Sequence, residues 1–450
     1  MTGIGNETPA EGNYGLQRAV RLLLLLSRMD FSAGQKRLIA EEIQSFAAWK
    51  LFAGLAVRHG VAALIWQNIS DLGHTGEVPA TERALLEGLR FKSIARVSWI
   101  TEAAAGVTAL LEREGIKVVL LKGLALEHTV YDSKGLRQMS DADLLVAPAD
   151  ALRARDILIR EGFRSMSLKS PLYRHIILDL GNHLPELHRG GISVDLHYRL
   201  FGPEGEEMVE RAIRDSVIIH GAGHETEVSP GPARESGAGH ETEFSPGNAR
   251  EGGAGSALSG TPGIHGTGTF RILPPMTAFL ALVNHIYKHE IKGEFQLRLW
   301  TDIYLLLHRY GAQILTTRLP AAVEEAGIRR QTATVLTIMK QVWGVELPDG
   351  ITADSSAAGE LTVTRFMDRL AHPGSVESLS QREMFRRNLN ALKSLRKKFI
   401  FILGDIFPSV EFMKRRYGCR TKAAAFLFYP HRLGKIPWIL GLLRTEKYDN

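Results

Sequence analysis

Apolar residues recur at three-to-four spacing from residue 17 to about residue 114, through Phe46, Trp49, Phe52, Leu55 and Ala56, and this period predicts packed helices. The pattern changes at Gly115, which ends a helix over 99–114 and opens the β-rich run 116–121. From there to about residue 201 strand and helix alternate. The spacing predicts a strand at 116–121, a helix at 124–131, a strand at 141–146 and a helix at 149–161. A hairpin then pairs 183–188 with 192–200 across Arg189, Gly190 and Gly191, whose glycines supply the backbone freedom of a tight turn, so the sheet is expected to be mixed. Helical periodicity resumes at Phe270 and runs to the end, broken near Pro348-Asp349-Gly350, His372-Pro373-Gly374 and Phe407-Pro408-Ser409.

Between 221 and 268 neither period survives. GAGHETEVSPGPARE is followed sixteen residues later by GAGHETEFSPGNARE, a Gly-, Ser-, Pro- and Glu-rich duplicate with little to bury. His224 and His240 are passengers of that duplication. The expected organisation is α+β: a flexible terminus 1–15, a helical domain 16–114, a small mixed-sheet core 115–220, a disordered insertion 221–268 and a C-terminal helical domain 269–450.

Composition narrows the picture. A 450-residue chain that is 44% hydrophobic has material for two or three cores, and a single cysteine, Cys419, excludes an intramolecular disulfide and a cysteine metal cluster within one chain. That fits a reducing cytoplasm. The first fifteen residues lack the basic-then-apolar order of a secretory signal, and the longest apolar stretches, 22–26 and 423–428, fall far short of the roughly 20 residues that cross a bilayer. No transmembrane segment is expected. The charge of +6 is modest, although Arg386, Arg387, Lys393, Arg396, Lys397 and Lys398 crowd one segment and Lys414, Arg415 and Arg416 another. Such runs are ordinarily solvated helix faces, with nucleic acid, anionic lipid or an acidic substrate as the alternatives.

The chemistry is concentrated at Asp141-Ala142-Asp143, at the head of an apolar strand. Alternation puts both carboxylates on one face, about 7 Å apart along the strand, and turns Ala142, Leu144 and Val146 to the other. Two such carboxylates converge on a pair of divalent cations, and Mg2+ prefers hard oxygen ligands completed by water and phosphate. A lone Asp-x-Asp also reads as a turn or cap. Three features favour the metal site. Asp195 lies inside a strand, where a carboxylate is costly unless its face is wet, paired or metal-bound, so it is the natural third ligand or the group that takes the proton of an attacking hydroxyl. Lys122-Gly123 joins a strand to a helix and offers backbone N–H groups, a positive helix end and an ammonium to a phosphate. Arg137, just ahead of the acidic pair and of Ser140, is placed either to clamp triphosphate oxygens or to pair with Asp141. His197 follows Asp195 on the same face, where it orients a carboxylate, contacts substrate or is a plain surface histidine. His285 and His289 share a helix face, where they bind a metal with a third partner or, as the more ordinary reading, are structural groups that hydrogen bond Asp302 or line the substrate cleft.

The run LLKGLALEHTVYDSKGLRQMSDADLLV followed by VDLHYRL resembles the uncharacterised nucleotidyltransferase family, a branch of the DNA polymerase beta-like superfamily. The resemblance extends to Arg58-His59-Gly60-Val61, to His285 and His289 with Leu299, Trp300 and Asp302, and to Phe407-Pro408-Ser409 with Met413, Arg416 and Tyr417. It implies a nucleotidyltransferase core flanked by helical domains. It also implies two Mg2+ ions on Asp141, Asp143 and Asp195, a nucleoside triphosphate bound at Lys122, Gly123, Arg137, Ser140 and His197, and pyrophosphate as the leaving group. ATP is a candidate donor. The acceptor is a small molecule, sugar or protein hydroxyl ahead of a nucleic acid end. One departure is that the wider superfamily has Gly-Gly or Gly-Ser after its first strand, whereas Leu124 follows Gly123 here. A non-catalytic nucleotide-binding or regulatory module on the same fold is the alternative.

Overall fold

In a computed structural model of the chain, residues 9–202, 206–220, 228–229, 269–348, 357–375 and 378–434 are described. The helical start runs through α1 (Pro9–Leu25), α2 (Ala33–Gln44), α3 (Trp49–Arg58), α4 (Ala62–Asp71) and the 34-residue α5 (Ala80–Arg113). α1 begins eight residues before the helical period was expected to start at Gln17. Residues 1–8 of the terminus expected to be flexible lie outside the described residues. α5 is long and apolar enough to span a membrane by length and composition alone. Val97, Ile100, Ala104, Val107 and Leu111 of α5 instead pack on the sheet in one apolar cluster.

Gly115 ends α5 as expected, at φ 77°, with Ile116 N–H returning to the Leu111 carbonyl at 2.9 Å. The core follows as β1 (Val119–Leu120), α6 (Lys122–Glu127), β2 (Asp141–Leu145), α7 (Ala151–Arg160), β3 (Arg164–Ser165), β4 (Leu187–Arg189) and β5 (Ile192–His197). α8 (Glu206–Arg214), β6 (Val217–His220), β7 (Val228–Ser229) and β8 (Thr269–Ile272) complete it. Several elements are shorter than the apolar pattern suggests, because ladder pairing rather than β-propensity sets their ends. β1 keeps only two of the six expected residues.

The described strands form one eight-stranded sheet in the order β3-β4-β5-β2-β1-β8-β6-β7. It is mixed: β2 lies parallel to β5 and β1 parallel to β8, while the remaining pairs are antiparallel. The expected insertion 221–268 lies outside the described residues except for Val228 and Ser229, which pair with β6. The β4–β5 turn uses Gly190 and Gly191 at φ 56° and 78°.

Sheet alternation then does the sorting. Ala142, Leu144, Val146, Val194 and Leu196 face α5 and α7 in one apolar cluster. Val119, Leu121 and Leu145 point the other way and join a larger cluster with Phe279, Leu282, Val283, Trp300 and Ile303. Those last residues belong to α9 (Pro275–Ile291) and α10 (Leu297–Ile314), so the acidic face of the sheet looks towards this helical pair. α11 (Leu319–Glu325), α12 (Arg329–Trp343) and α13 (Ala357–Ala371) extend the same layer. α14 (Gln381–Asn390) and α15 (Leu395–Ile406) dock on the 170s through Tyr173, Ile176, Phe385, Leu389 and Phe401, and α16 (Val410–Tyr417) follows.

Candidate active site

The parallel register of β2 and β5 sets Asp143 directly beside Asp195. Both strands bury alternate residues on the α5–α7 side, so Asp141, Asp143, Asp195 and His197 emerge together on the other. Ligand atoms of Asp143, Asp195 and His197 all lie within 4.8 Å of one another. Asp141 lines the same cavity but stands outside that trio, at the half-buried head of β2.

Two cationic or proton-bearing groups already meet the buried Asp143. Lys122 Nζ donates to its Oδ1 at 2.5 Å, and His197 Nε2 donates to the same oxygen at 2.8 Å. Burial alone would raise the Asp143 carboxyl, but the Lys122 ammonium and the His197 bond override it and hold it well below the usual carboxylate range. Burial, reinforced by Lys122, pushes His197 down to about 3, so its imidazole is neutral at pH 7 and Nε2 carries the proton given to Asp143. Lys122 reaches this position from a backbone φ of 47°, the single positive value outside glycine among the described residues. A left-handed lysine costs about 1–3 kcal/mol and is kept where the surroundings hold it, often at a functional site.

Asp195 has the opposite environment. Its Oδ1 is shut away from solvent with no hydrogen-bond partner. Burial first, then the Asp143 and Asp141 charges, pushes its carboxyl up to about 7. A donor-free buried carboxylate beside a second one is a site for a cation, and the hard oxygen set of Asp143 and Asp195 suits a divalent ion.

Arg137 takes a partner that neither sequence reading named. Its guanidinium is buried and grips Asp302 of α10, with Nε to Oδ1 at 2.9 Å and Nη2 to Oδ2 at 2.8 Å; Tyr131 donates to the same Asp302 Oδ1 at 2.8 Å. It does not pair with Asp141, because Asp302 supplies a bidentate carboxylate in a dry setting. Burial opposes the charge, but Asp302 overrides it and keeps Arg137 firmly protonated. Gly123 is explained by the same group, since a Cβ there would collide with the Arg137 guanidinium. The missing side chain at Gly123 lets Arg137 approach the strand–helix junction, where both line the cavity. The Ser140 hydroxyl donates to Asp141 Oδ1 at 3.2 Å. The loop ahead of β2 is fixed by buried Glu127, which accepts the Gly135 and Arg137 N–H groups.

A cavity of about 530 Å³ opens over these residues, a size typical of small-ligand sites. Lys122, Gly123, Arg137, Ser140, Asp141, Asp143, Asp195 and His197, all singled out from sequence, line it. Its far wall is α9, which presents His285, Lys288, His289 and Lys292. The two histidine rings meet edge to face at 4.4 Å, and His289 Nδ1 pairs with Glu294 at 2.6 Å, so neither histidine bonds Asp302. The two lysines escaped sequence reading. Their signal was the basic pattern i, i+3, i+4, i+7 on a helix otherwise apolar at those faces.

Residues 46–229 match the family described as uncharacterised nucleotidyltransferase. The match covers β1 to β7 and part of the helical start, and is narrower than the near full-length resemblance of the sequence motifs; β8, α9 and all later helices lie beyond it. No curated protein and no solved structure matches the chain.

Proposed function

The chain carries a nucleotidyltransferase-family domain over residues 46–229, and from that premise we propose that it moves a nucleoside monophosphate from a triphosphate, ATP being a candidate, to a hydroxyl-bearing acceptor. The acceptor oxygen forms a bond to the α-phosphorus, the bond from that phosphorus to the bridging oxygen breaks, and pyrophosphate departs. The carrying observation is the Asp143–Asp195 pairing across β2 and β5, with Asp195 Oδ1 left without a donor.

Asp141, Asp143 and Asp195 would hold Mg2+. When bound, a pair of such ions offsets triphosphate charge and lowers the pKa of the attacking hydroxyl. His197 keeps Asp143 oriented through its 2.8 Å bond. Asp195, titrating near 7, is matched to accept a proton at neutral pH. Lys122 leaves Asp143 for the phosphates when a cation takes its place, since a lysine and a divalent ion compete for one carboxylate oxygen. The surrounding apolar walls, including Leu121, Leu200, Leu282 and Leu306, keep water from the α-phosphorus. A small molecule, sugar or protein hydroxyl fits a cavity of about 530 Å³ better than a nucleic acid duplex.

One observation favours a rival reading. If Lys122 stays on Asp143, the chain binds nucleotide without turnover. Full-length protein incubated with each labelled triphosphate, with and without Mg2+, and with a cell lysate as acceptor source, separates the two. The expected result is Mg2+-dependent pyrophosphate release with at least one nucleotide, lost by a factor of at least a thousand in Asp143→Asn, whose amide cannot replace the charge at the metal. Release that persists in Asp143→Asn, or that no triphosphate elicits, overturns the transfer reading.

A further inference from the structure

α9 carries a second cationic group into the cavity that nothing in the carboxylate site requires. Lys288 lines the cavity wall opposite the sheet and is half-buried. Among the described residues no carboxylate pairs with it. The acidic residues of its own helix turn and of the loop after it are engaged elsewhere: Glu290 with Arg369 and Glu294 with His289. Its charged neighbours are cations, namely Lys122 from α6, Arg387 from α14 and Lys292 one turn along α9. Burial first, then the Lys122 charge, pushes its ammonium down to about 7. A half-buried lysine at a cavity wall with three cations for charged neighbours is electrostatically unfavourable unless an anion joins it. That cost is the structural trace of an anionic ligand.

We propose that Lys288, with Lys292, binds the β- and γ-phosphates of the triphosphate, so that a helix outside the matched family domain completes the active site. The inference rests on the transfer reading above and deepens it. Charge counting supports it. A triphosphate brings about −4 at neutral pH and two Mg2+ ions +4; the three carboxylates add −3, and Lys122 and Arg298, which pairs with no carboxylate among the described residues, add +2, which leaves about −1. Arg137 cannot make up the difference because Asp302 neutralises it. Lys288, with Lys292 one turn on at the α9 C-cap, supplies at least the missing charge from one side of the cavity. The proximity of Lys288 to Lys122 places them towards the strand–helix junction, on the phosphate side of the cavity. Lysine serves here as a point charge that follows a flexible polyphosphate.

The test is calorimetric titration of Mg2+-inorganic tripolyphosphate into full-length wild-type protein, Lys288→Met, Lys292→Met and, as a surface control, Lys340→Met on α12. Losing a charge-assisted contact corresponds to about ten- to a hundredfold in affinity. Lys288→Met is expected to weaken tripolyphosphate by at least tenfold and Lys292→Met by less, because Lys292 is exposed. Lys340→Met should bind as wild type does. Removing an unpaired half-buried charge should leave the melting temperature of Lys288→Met at or above that of wild type, which separates lost binding from lost folding. Unchanged affinity in Lys288→Met, or no tripolyphosphate binding by wild type, overturns the inference. Lys288-dependent tripolyphosphate binding without pyrophosphate release from any nucleotide would sink the transfer reading alone. Intact release with tripolyphosphate affinity insensitive to Lys288 would sink the phosphate wall alone.

Discussion

Asp195 and Asp143 sit side by side in one register yet ionise in opposite directions, and the difference is what surrounds each oxygen. Asp143 has an ammonium and an imidazole N–H on Oδ1, whereas Asp195 Oδ1 has no donor and two carboxylates for neighbours. The consequence for stability has a definite sign. In the unfolded chain Asp195 titrates near about 4, and in the fold near 7, so between those values the native state binds the extra proton. The share of Asp195 in the stability of the metal-free protein therefore falls as pH rises from about 4 to about 7 and levels off above, against the opposite slope of buried histidines such as His197, which is held down to about 3. Glu127, raised by burial to about 7, adds the same slope. Asp195→Asn removes only its own share. Melting temperatures of metal-free wild type and Asp195→Asn, measured from pH 4.5 to 8, are expected to diverge with rising pH, the variant being the more stable at pH 8. Parallel curves would show that the carboxyl at 195 is not strained in the fold. The same variant should forfeit transfer activity, the usual exchange between stability and a preorganised site.

At the scale of elements, the site is held by couplings between segments far apart in sequence. Arg137, from the loop between α6 and β2, and Asp302, from α10, bury a bidentate ion pair that Tyr131 completes. Asp302 is fully buried, so its loss strands the Arg137 guanidinium in a dry setting. Asp302→Asn is expected to lower unfolding free energy in urea by about 3–5 kcal/mol. The double variant Arg137→Met, Asp302→Leu should recover much of this, because the desolvation cost disappears along with the attraction. Equal losses in single and double variants would point to packing rather than charge. α9 has a similar double duty: Phe279, Leu282, Val283 and Ile286 seal the apolar layer, while Lys288 and Lys292 face the cavity. The helix cannot be exchanged as a mere cover.

At the scale of the whole molecule, the matched family segment is not a folding unit by itself. Residues 46–229 hold β1, β2 and β5, but β1 pairs on its other edge with β8, Leu120 beside Ile272. Val119, Leu121 and Leu145 are covered by α9 and α10, which lie after the match. A 46–229 fragment would open a sheet edge and an apolar face together, so it should aggregate or melt without cooperativity. A single sharp transition in calorimetry would contradict this. The full chain is expected to melt cooperatively across the sheet and the α9–α13 layer, because one apolar cluster runs through both.

How far the sequence alone reached follows from which interactions are local. Alternation along one strand is a property of that strand, so the shared face of Asp141 and Asp143, and the apolar face of Ala142, Leu144 and Val146, were readable in advance. So was the β4–β5 turn, since two adjacent glycines answer a local backbone demand. The mixed sheet and the leading helices followed from period, as did the strand positions of Asp143 and Asp195. Pairings across long stretches of chain were not readable. Nothing in the spacing of Arg137 announces a carboxylate 165 residues away, and nothing next to Gly123 announces the guanidinium that packs against it. The return of β8 beside β1, the His197 bond to Asp143 and the turn of Lys288 towards Lys122 are likewise products of packing. A side chain's character and the face it takes are written within a few residues of it; which distant group it meets depends on how the layers close over one another, and that closure determines the charges in this cavity.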